Sequence, residues 1–321
     1  MDMLKQIYNI GIIPVIKIND ASKAVPLAKA LIDGGLAAAE VTFRTDAAED
    51  AIRAITQAYP DMIVGAGTVL TIEQTQRALD AGAKFIVSPG FNPKVVSWCL
   101  EKGVTPLPGC TTPSEIEQAL ELGLKVVKFF PAEQSGGLDK IKAMSAPYGG
   151  VKFMPTGGVS LDNVNSYLGC DKIVACGGSF MVKESFIDND QWDEITALTK
   201  KAVDTMLGLE IAHIGINSEN EEDAQKTASM LSMLLGKAPE KDTAKSVFVT
   251  SEFEVMKSKG PGKCGHIAVY TNNVERAIYH LGARGVKFNG ESATFNADGT
   301  RKFIYLAEEF GGFGIHLMQK K

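Results

Sequence analysis

Cysteine is sparse in this chain: five in 321 residues, at Cys99, Cys110, Cys170, Cys176 and Cys264, odd in number and in no metal-type pair. That scatter excludes a disulfide framework and a cysteine zinc site, and reduced thiols in the cytoplasm are the simplest account. Long apolar runs are also missing. No stretch approaches the roughly 20 residues that a membrane helix needs. The opening Met1-Asp2-Met3-Leu4-Lys5 lacks the apolar core of a signal peptide. The expectation is a cytoplasmic protein with no membrane partner. Positive charge is in deficit too. The net charge is −5, and no basic run exceeds a pair or so, which argues against a nucleic-acid partner.

What is present is alternation. Apolar runs at 11–18, 37–43, 62–65, 84–88, 104–108, 125–130, 151–154 and 172–176 are separated by helix-patterned segments. The helical stretches lie at 22–33, 47–58, 72–81, 93–101, 113–122, 138–145 and 161–168, and an eighth at 191–207 closes the set. Strands alternating with helices predict an α/β fold with a parallel sheet. Eight such units predict a (β/α)8 TIM barrel over 1–207, and an open doubly wound sheet would not need eight.

In such a barrel the chemistry sits where strands end. The sixth run ends in Lys128-Phe129-Phe130-Pro131. Lysine is rarely buried unless paired or working. Two rings and a proline beside Lys128 would strip water from its ammonium and favour the nucleophilic amine. A strand-end lysine that snorkels to solvent is the bland alternative. Glu40, on the second run, suits a proton shuttle for an imine formed by Lys128 with a keto acid. The imine is an electron sink, so an adjacent C–C bond can break without a metal. Glu40 alternates with Thr42 and Arg44, so all three could face the barrel axis. Arg44 suits a substrate carboxylate, and a structural Glu40–Arg44 ion pair is the alternative use. The pairs Gly157-Gly158 and Gly177-Gly178, the latter followed by Ser179, follow strands seven and eight, where this fold places phosphate. Lys17, ending strand one, could add charge to a distal anion. It is also the second imine candidate, and Lys152 the third.

Five motifs in order then carry a resemblance. They are Glu40-Val41-Thr42-Phe43-Arg44-Thr45, Gly65-Ala66-Gly67-Thr68-Val69, Ser88-Pro89-Gly90, Lys128-Phe129-Phe130-Pro131-Ala132-Glu133 and Pro155-Thr156-Gly157-Gly158. Residues 1–207 resemble the 2-keto-3-deoxy-6-phosphogluconate (KDPG) / 4-hydroxy-2-oxoglutarate (KHG) aldolases. The resemblance implies a class I aldolase of Entner-Doudoroff carbohydrate metabolism, homotrimeric and free of cofactors. Its substrate would be a small keto acid. Lys128 would be the Schiff-base lysine and Glu40 the general acid/base. Arg44 and Thr68 would bind the pyruvate carboxylate, Pro89, Phe130 and Thr156 would shape the pocket, and Gly157, Gly158 and Ser179 would hold phosphate. Members often carry arginine where this chain has Lys17, so a point charge replaces a fork. A phosphate-binding epimerase or isomerase is the alternative function.

After residue 207 the pattern changes. Ala212-His213-Ile214-Gly215-Ile216-Asn217 is echoed by Gly265-His266-Ile267-Ala268-Val269-Tyr270, and each is followed by a helix and then strands. Two copies of strand, helix and three strands, about fifty residues each, predict a duplicated α+β domain over 208–321. It resembles the vicinal-oxygen-chelate superfamily of glyoxalase I and bleomycin-resistance proteins. In that superfamily the first and last strand of each module give inward residues. Here these are His213, Glu254, His266 and His316, which include three of the four histidines. By the resemblance they would bind a divalent metal, although a glutamate is more usual where His316 stands. Neutral imidazole with carboxylate suits zinc, iron, nickel or manganese. A metal-free binding or oligomerising module is the alternative.

Overall fold

The computed structural model describes residues 2–297 and 299–320. The chain divides into two compact units, Met1–Met206 and Leu207–Lys321. In the first, eight strands alternate with helices: β1 (Ile12–Ile16), β2 (Ala38–Thr42), β3 (Ile63–Gly67), β4 (Phe85–Val87), β5 (Thr105–Leu107), β6 (Val126–Phe129), β7 (Lys152–Pro155) and β8 (Cys176–Gly178). Their pairing is parallel throughout. The order β5-β4-β3-β2-β1-β8 continues through the pair β6-β7, and bridges Gly109↔Lys128 and Thr156↔Gly177 close the ring. This is an α/β TIM-like barrel. Strands β1, β2 and β3 are buried at every position, as expected where helices cover one face and the interior the other. Close packing inside uses glycine: a side chain on Gly65 would collide with the ring of the fully buried Phe85.

The helices are α1 (Met3–Ile10), α2 (Ala24–Asp33), α3 (Ala48–Ala58), α4 (Ile72–Asp80), α5 (Pro93–Glu101), α6 (Pro113–Glu121), α7 (Gly137–Ser145), α8 (Val164–Leu168), α9 (Glu184–Asp188) and α10 (Trp192–Leu207). Several start where the sequence says they must. Thr112 caps α6 through the Glu115 N–H, the Glu115 carboxylate returns to the Thr112 N–H, and Pro113 opens the first turn.

Three features depart from the sequence reading. Helices α1 and α9 fall outside the alternating pattern, because one precedes the first strand and the other is a five-residue turn inside a loop. The eighth strand is Cys176–Gly178 rather than 172–176, because Gly177 and Gly178 themselves pair with Ile13 and Pro14 of β1. The second glycine pair is therefore strand, not a loop after it.

The second unit is one eight-stranded sheet with two helices. Its elements are β9 (Glu210–Asn217), α11 (Glu221–Leu235), β10 (Lys241–Asp242), β11 (Ser246–Thr250), β12 (Phe253–Met256), β13 (Gly265–Thr271), α12 (Val274–Ala283), β14 (Phe288–Phe295), β15 (Arg301–Phe310) and β16 (Phe313–Gln319). The order is β10-β11-β12-β9-β13-β16-β15-β14. From the central antiparallel pair β9–β13, each half runs outward as first, last, third and second strand. Ala224 and Ala228 of α11 pack with Val247, Val249 and Val255 in a small apolar core. Among the described residues no helix is long and apolar enough to cross a membrane.

Candidate functional site

At the C-terminal end of the barrel, Lys128 and Glu40 meet. The Lys128 Nζ donates to Glu40 Oε1 at 3.3 Å, with Lys128 5% and Glu40 0% exposed. The pair does not snorkel. Both residues lie within strands, and Gly67 clears room for Glu40, since a side chain there would collide with the Glu40 carboxylate. Glu40 Oε2 and Thr156 Oγ1 are buried without a hydrogen-bond partner. Buried polar atoms left unpaired by the protein are uncommon and call for an explanation. The Lys128 ammonium also lies 5.2 Å from the centre of the Phe130 ring, so one flank is aromatic.

The other sequence candidates divide. Arg44 is not on the strand with Glu40 and Thr42. Strand β2 ends at Thr42, and Arg44 lies in a turn in which its N–H bonds to the Thr42 carbonyl. Its Nε nevertheless donates to Thr42 Oγ1 at 3.2 Å, while the Thr42 hydroxyl donates to the Ile16 carbonyl at 2.8 Å. The described residues show no Glu40–Arg44 ion pair, because Lys128 holds the carboxylate instead. Thr68 follows β3 at φ +55°, a strained backbone for a β-branched residue. Pro89 is half-buried and Phe130 exposed beside the pair. Gly157 and Gly158 adopt φ +98° and +82°, and a side chain on Gly158 would collide with Glu133. Gly177 is bare for a different reason, since its side chain would strike Thr156. Ser179 is exposed just past β8.

Two competing lysines part from Lys128 by position. Lys152 is exposed at the first residue of β7, level with Val126 and two residues below Lys128. Lys17 follows β1 at the strand's C-terminal end, but its ammonium is held by Glu184 Oε1 at 2.6 Å. Burial pushes Cys110 up to about 12 and Cys99 up to about 11, which keeps both protonated at neutral pH.

In the second unit the register gathers the other candidates on one sheet face. Across the strands run Phe248, Glu254, Gly215, His266 and Gly314 in one row. His213, Ala268, His316 and Tyr305 form the next. Small residues thus separate the polar ones, and a side chain on Gly215 would collide with the His266 ring. Glu254 Oε2 lies 3.2 Å from the Nε2 atoms of both His213 and His266, which are 3.1 Å from each other. One ligand nitrogen from each of His213, His266 and His316 fits within 4.8 Å. Burial opposes charge on Glu254, but hydrogen bonds from His213, His266 and Ser246 outweigh it and hold the carboxyl well below its usual range. Burial, followed by the neighbouring His266 and His213, pushes His316 down to about 3. His316 is therefore a neutral donor, and its Nδ1 is buried without a partner. A converging carboxylate, two facing imidazole nitrogens and an orphaned third imidazole fit a divalent cation.

Sequence reading missed Gly67, Gly215 and Ser246, whose hydroxyl donates to Glu254 Oε1 at 2.6 Å. Nothing local marks a glycine or serine as the neighbour that clears or orients a functional side chain.

The model of the KDPG and KHG aldolase family matches residues 3–198. Over 201 residues the chain is 48% identical to the 2-dehydro-3-deoxy-phosphogluconate aldolase of Treponema pallidum, covering 63% of this chain and 96% of the relative. It is 42% identical to the KHG/KDPG aldolase of Escherichia coli K12, covering 60% and 91%. Among solved structures it resembles a KDPG aldolase from Legionella pneumophila with pyruvate captured as a covalent carbinolamine. The TM-score is 0.61 at 36% identity, over 63% of this chain and 98% of that one.

Proposed function

The chain belongs to the KDPG and KHG aldolase family, and from that premise we propose that Lys128 is its imine-forming lysine and Glu40 its proton shuttle. The activity is that of a class I aldolase. It cleaves KDPG to pyruvate and glyceraldehyde 3-phosphate, and/or KHG to pyruvate and glyoxylate.

The single observation that carries the assignment is the buried Lys128–Glu40 pair, 3.3 Å apart at the active end. Lys128 Nζ, once neutral, attacks the C2 carbonyl to give a carbinolamine. Glu40 supplies the proton with which the hydroxyl leaves as water. The resulting iminium accepts the electron pair of the C3–C4 bond as Glu40 takes the C4 hydroxyl proton, releasing the aldehyde and leaving an enamine. Proton return to C3 and hydrolysis then give pyruvate and free Lys128. Arg44 and Thr68 bind the carboxylate, and Pro89, Phe130 and Thr156 shape the pocket. Gly157, Gly158 and Ser179 hold the distal anion, with Lys17 beside them. An epimerase or isomerase would leave the buried Lys128 without a role. A homotrimer follows from the family resemblance, and a cytoplasmic setting from the few, scattered cysteines.

Borohydride reduction in the presence of pyruvate, followed by peptide mass spectrometry, tests the lysine. The expected adduct is on Lys128. One on Lys17 or Lys152 would reassign the nucleophile, and none at all in active protein would reject it.

For residues 208–321 we infer a duplicated βαβββ domain of the vicinal-oxygen-chelate type, on the repeated first-last-third-second strand order. His213, Glu254, His266 and His316 would hold a divalent metal. Such an ion supplies Lewis acidity toward an oxygen of a small ligand. Full-length protein purified without chelator is expected to carry one divalent ion. Gly215→Ala, which drives a methyl into the His266 ring, should weaken its binding by about 10- to 100-fold. Unchanged metal content in that variant would remove His266 from the ligand set.

A further inference from the structure

We propose that Glu184 is a specificity-determining residue of the aldolase. Its carboxylate is a built-in counter-anion that shares Lys17 with the substrate's distal anion and so discriminates against phosphate relative to carboxylate. The inference rests on the placement of Lys17 at the distal-anion site.

Glu184 opens α9, in the loop that follows β8 and Ser179. Its Oε1 accepts from Lys17 Nζ at 2.6 Å and from Asn19 Nδ2 at 2.8 Å. These two bonds hold the Glu184 carboxyl below its usual range, so it stays charged and occupies the Lys17 ammonium. The bland alternative is an ordinary surface ion pair that fastens one loop to the next. That fastening is already made elsewhere: Lys23 Nζ donates to the carbonyls of Ile187 at 3.3 Å and Asp188 at 2.8 Å, and pairs with Asp190 at 3.0 Å. A second pair that is 37% and 41% exposed adds little to the fold. What it does change is the charge that an incoming anion meets.

KDPG ends in a phosphate of charge near −2, and KHG ends in a single carboxylate. Two anions on one ammonium repel in proportion to their charges, so Glu184 opposes the phosphorylated substrate more. Because the rim is half-exposed, the effect is modest and screened by salt.

Steady-state kinetics of the full-length protein with both substrates test this. Glu184→Gln keeps an oxygen for Lys17 and Asn19 while removing the charge. The expected result is a KM for KDPG lowered about threefold to tenfold at low ionic strength. KM for KHG should change less, kcat should hold within about twofold, and the gain should shrink as salt is added. The gain should also vanish in Lys17→Met/Glu184→Gln, since the competition is for Lys17. If Lys17→Met weakens KDPG but Glu184→Gln leaves the KDPG-to-KHG ratio unchanged at every salt concentration, the inference fails while the role of Lys17 stands. If Lys17→Met changes neither substrate, the Lys17 placement fails and takes the inference with it.

Discussion

Lys128→Met should lower kcat/KM by about four orders of magnitude or more, because it removes the amine assigned to the imine. Lys152 sits below it on the barrel wall, and Lys17 is engaged by Glu184. Exchange of the pyruvate methyl protons with deuterated solvent, followed by NMR, should stop as well, since exchange requires the enamine. Stability should fall too. The substitution leaves the Glu40 carboxylate at 0% exposure with no counter-charge, a defect of about 3–5 kcal/mol. For a unit of this size that is a melting-point loss of roughly 10 °C. The double variant Lys128→Met/Glu40→Gln should recover most of that loss and remain inactive. Calorimetry on the pair thus separates lost chemistry from lost fold. Substantial turnover in folded Lys128→Met would overturn the assignment.

Glu40→Gln should lower kcat by about 10²- to 10⁴-fold, the usual contribution of a positioned acid/base, yet leave Lys128 trappable on longer incubation, because the iminium still forms slowly without the Glu40 proton. The amide preserves shape and an acceptor for the ammonium but cannot carry protons between C4 hydroxyl, water and C3. Slow turnover with a persistent borohydride adduct on Lys128 is therefore the expected signature. Turnover within about threefold of wild type would mean that another group or a water moves the protons. Glu40 Oε2, buried and unpaired in the protein, is the atom available for that traffic.

Much of this was legible along the chain because periodicity and local chemistry are written there. All eight barrel strands overlap the expected apolar runs, and all eight expected helices end within about one residue of their positions, although the helix expected at 161–168 begins at Val164. The eighth strand fell later than expected, since Gly177-Gly178 reads as a turn until β1 is there to pair with it. Arg44 misled for a related reason. Alternation predicts a shared face only while the strand lasts, and β2 stops at Thr42.

By itself the sequence determined that strands and helices alternate eight times, that a second pattern begins after residue 207, and which motifs resemble those of the aldolase family. These are properties of neighbours in the chain, fixed by side-chain period, capping and turn chemistry. The tertiary structure decided which distant groups face each other. It put Lys128 88 residues from Glu40 in the chain but 3.3 Å away in space, set Glu184 against Lys17, and used Gly67 and Gly215 to clear room for Glu40 and His266. Contacts of that kind depend on strand register and on the volume that small residues leave empty. Neither is a property of any one segment.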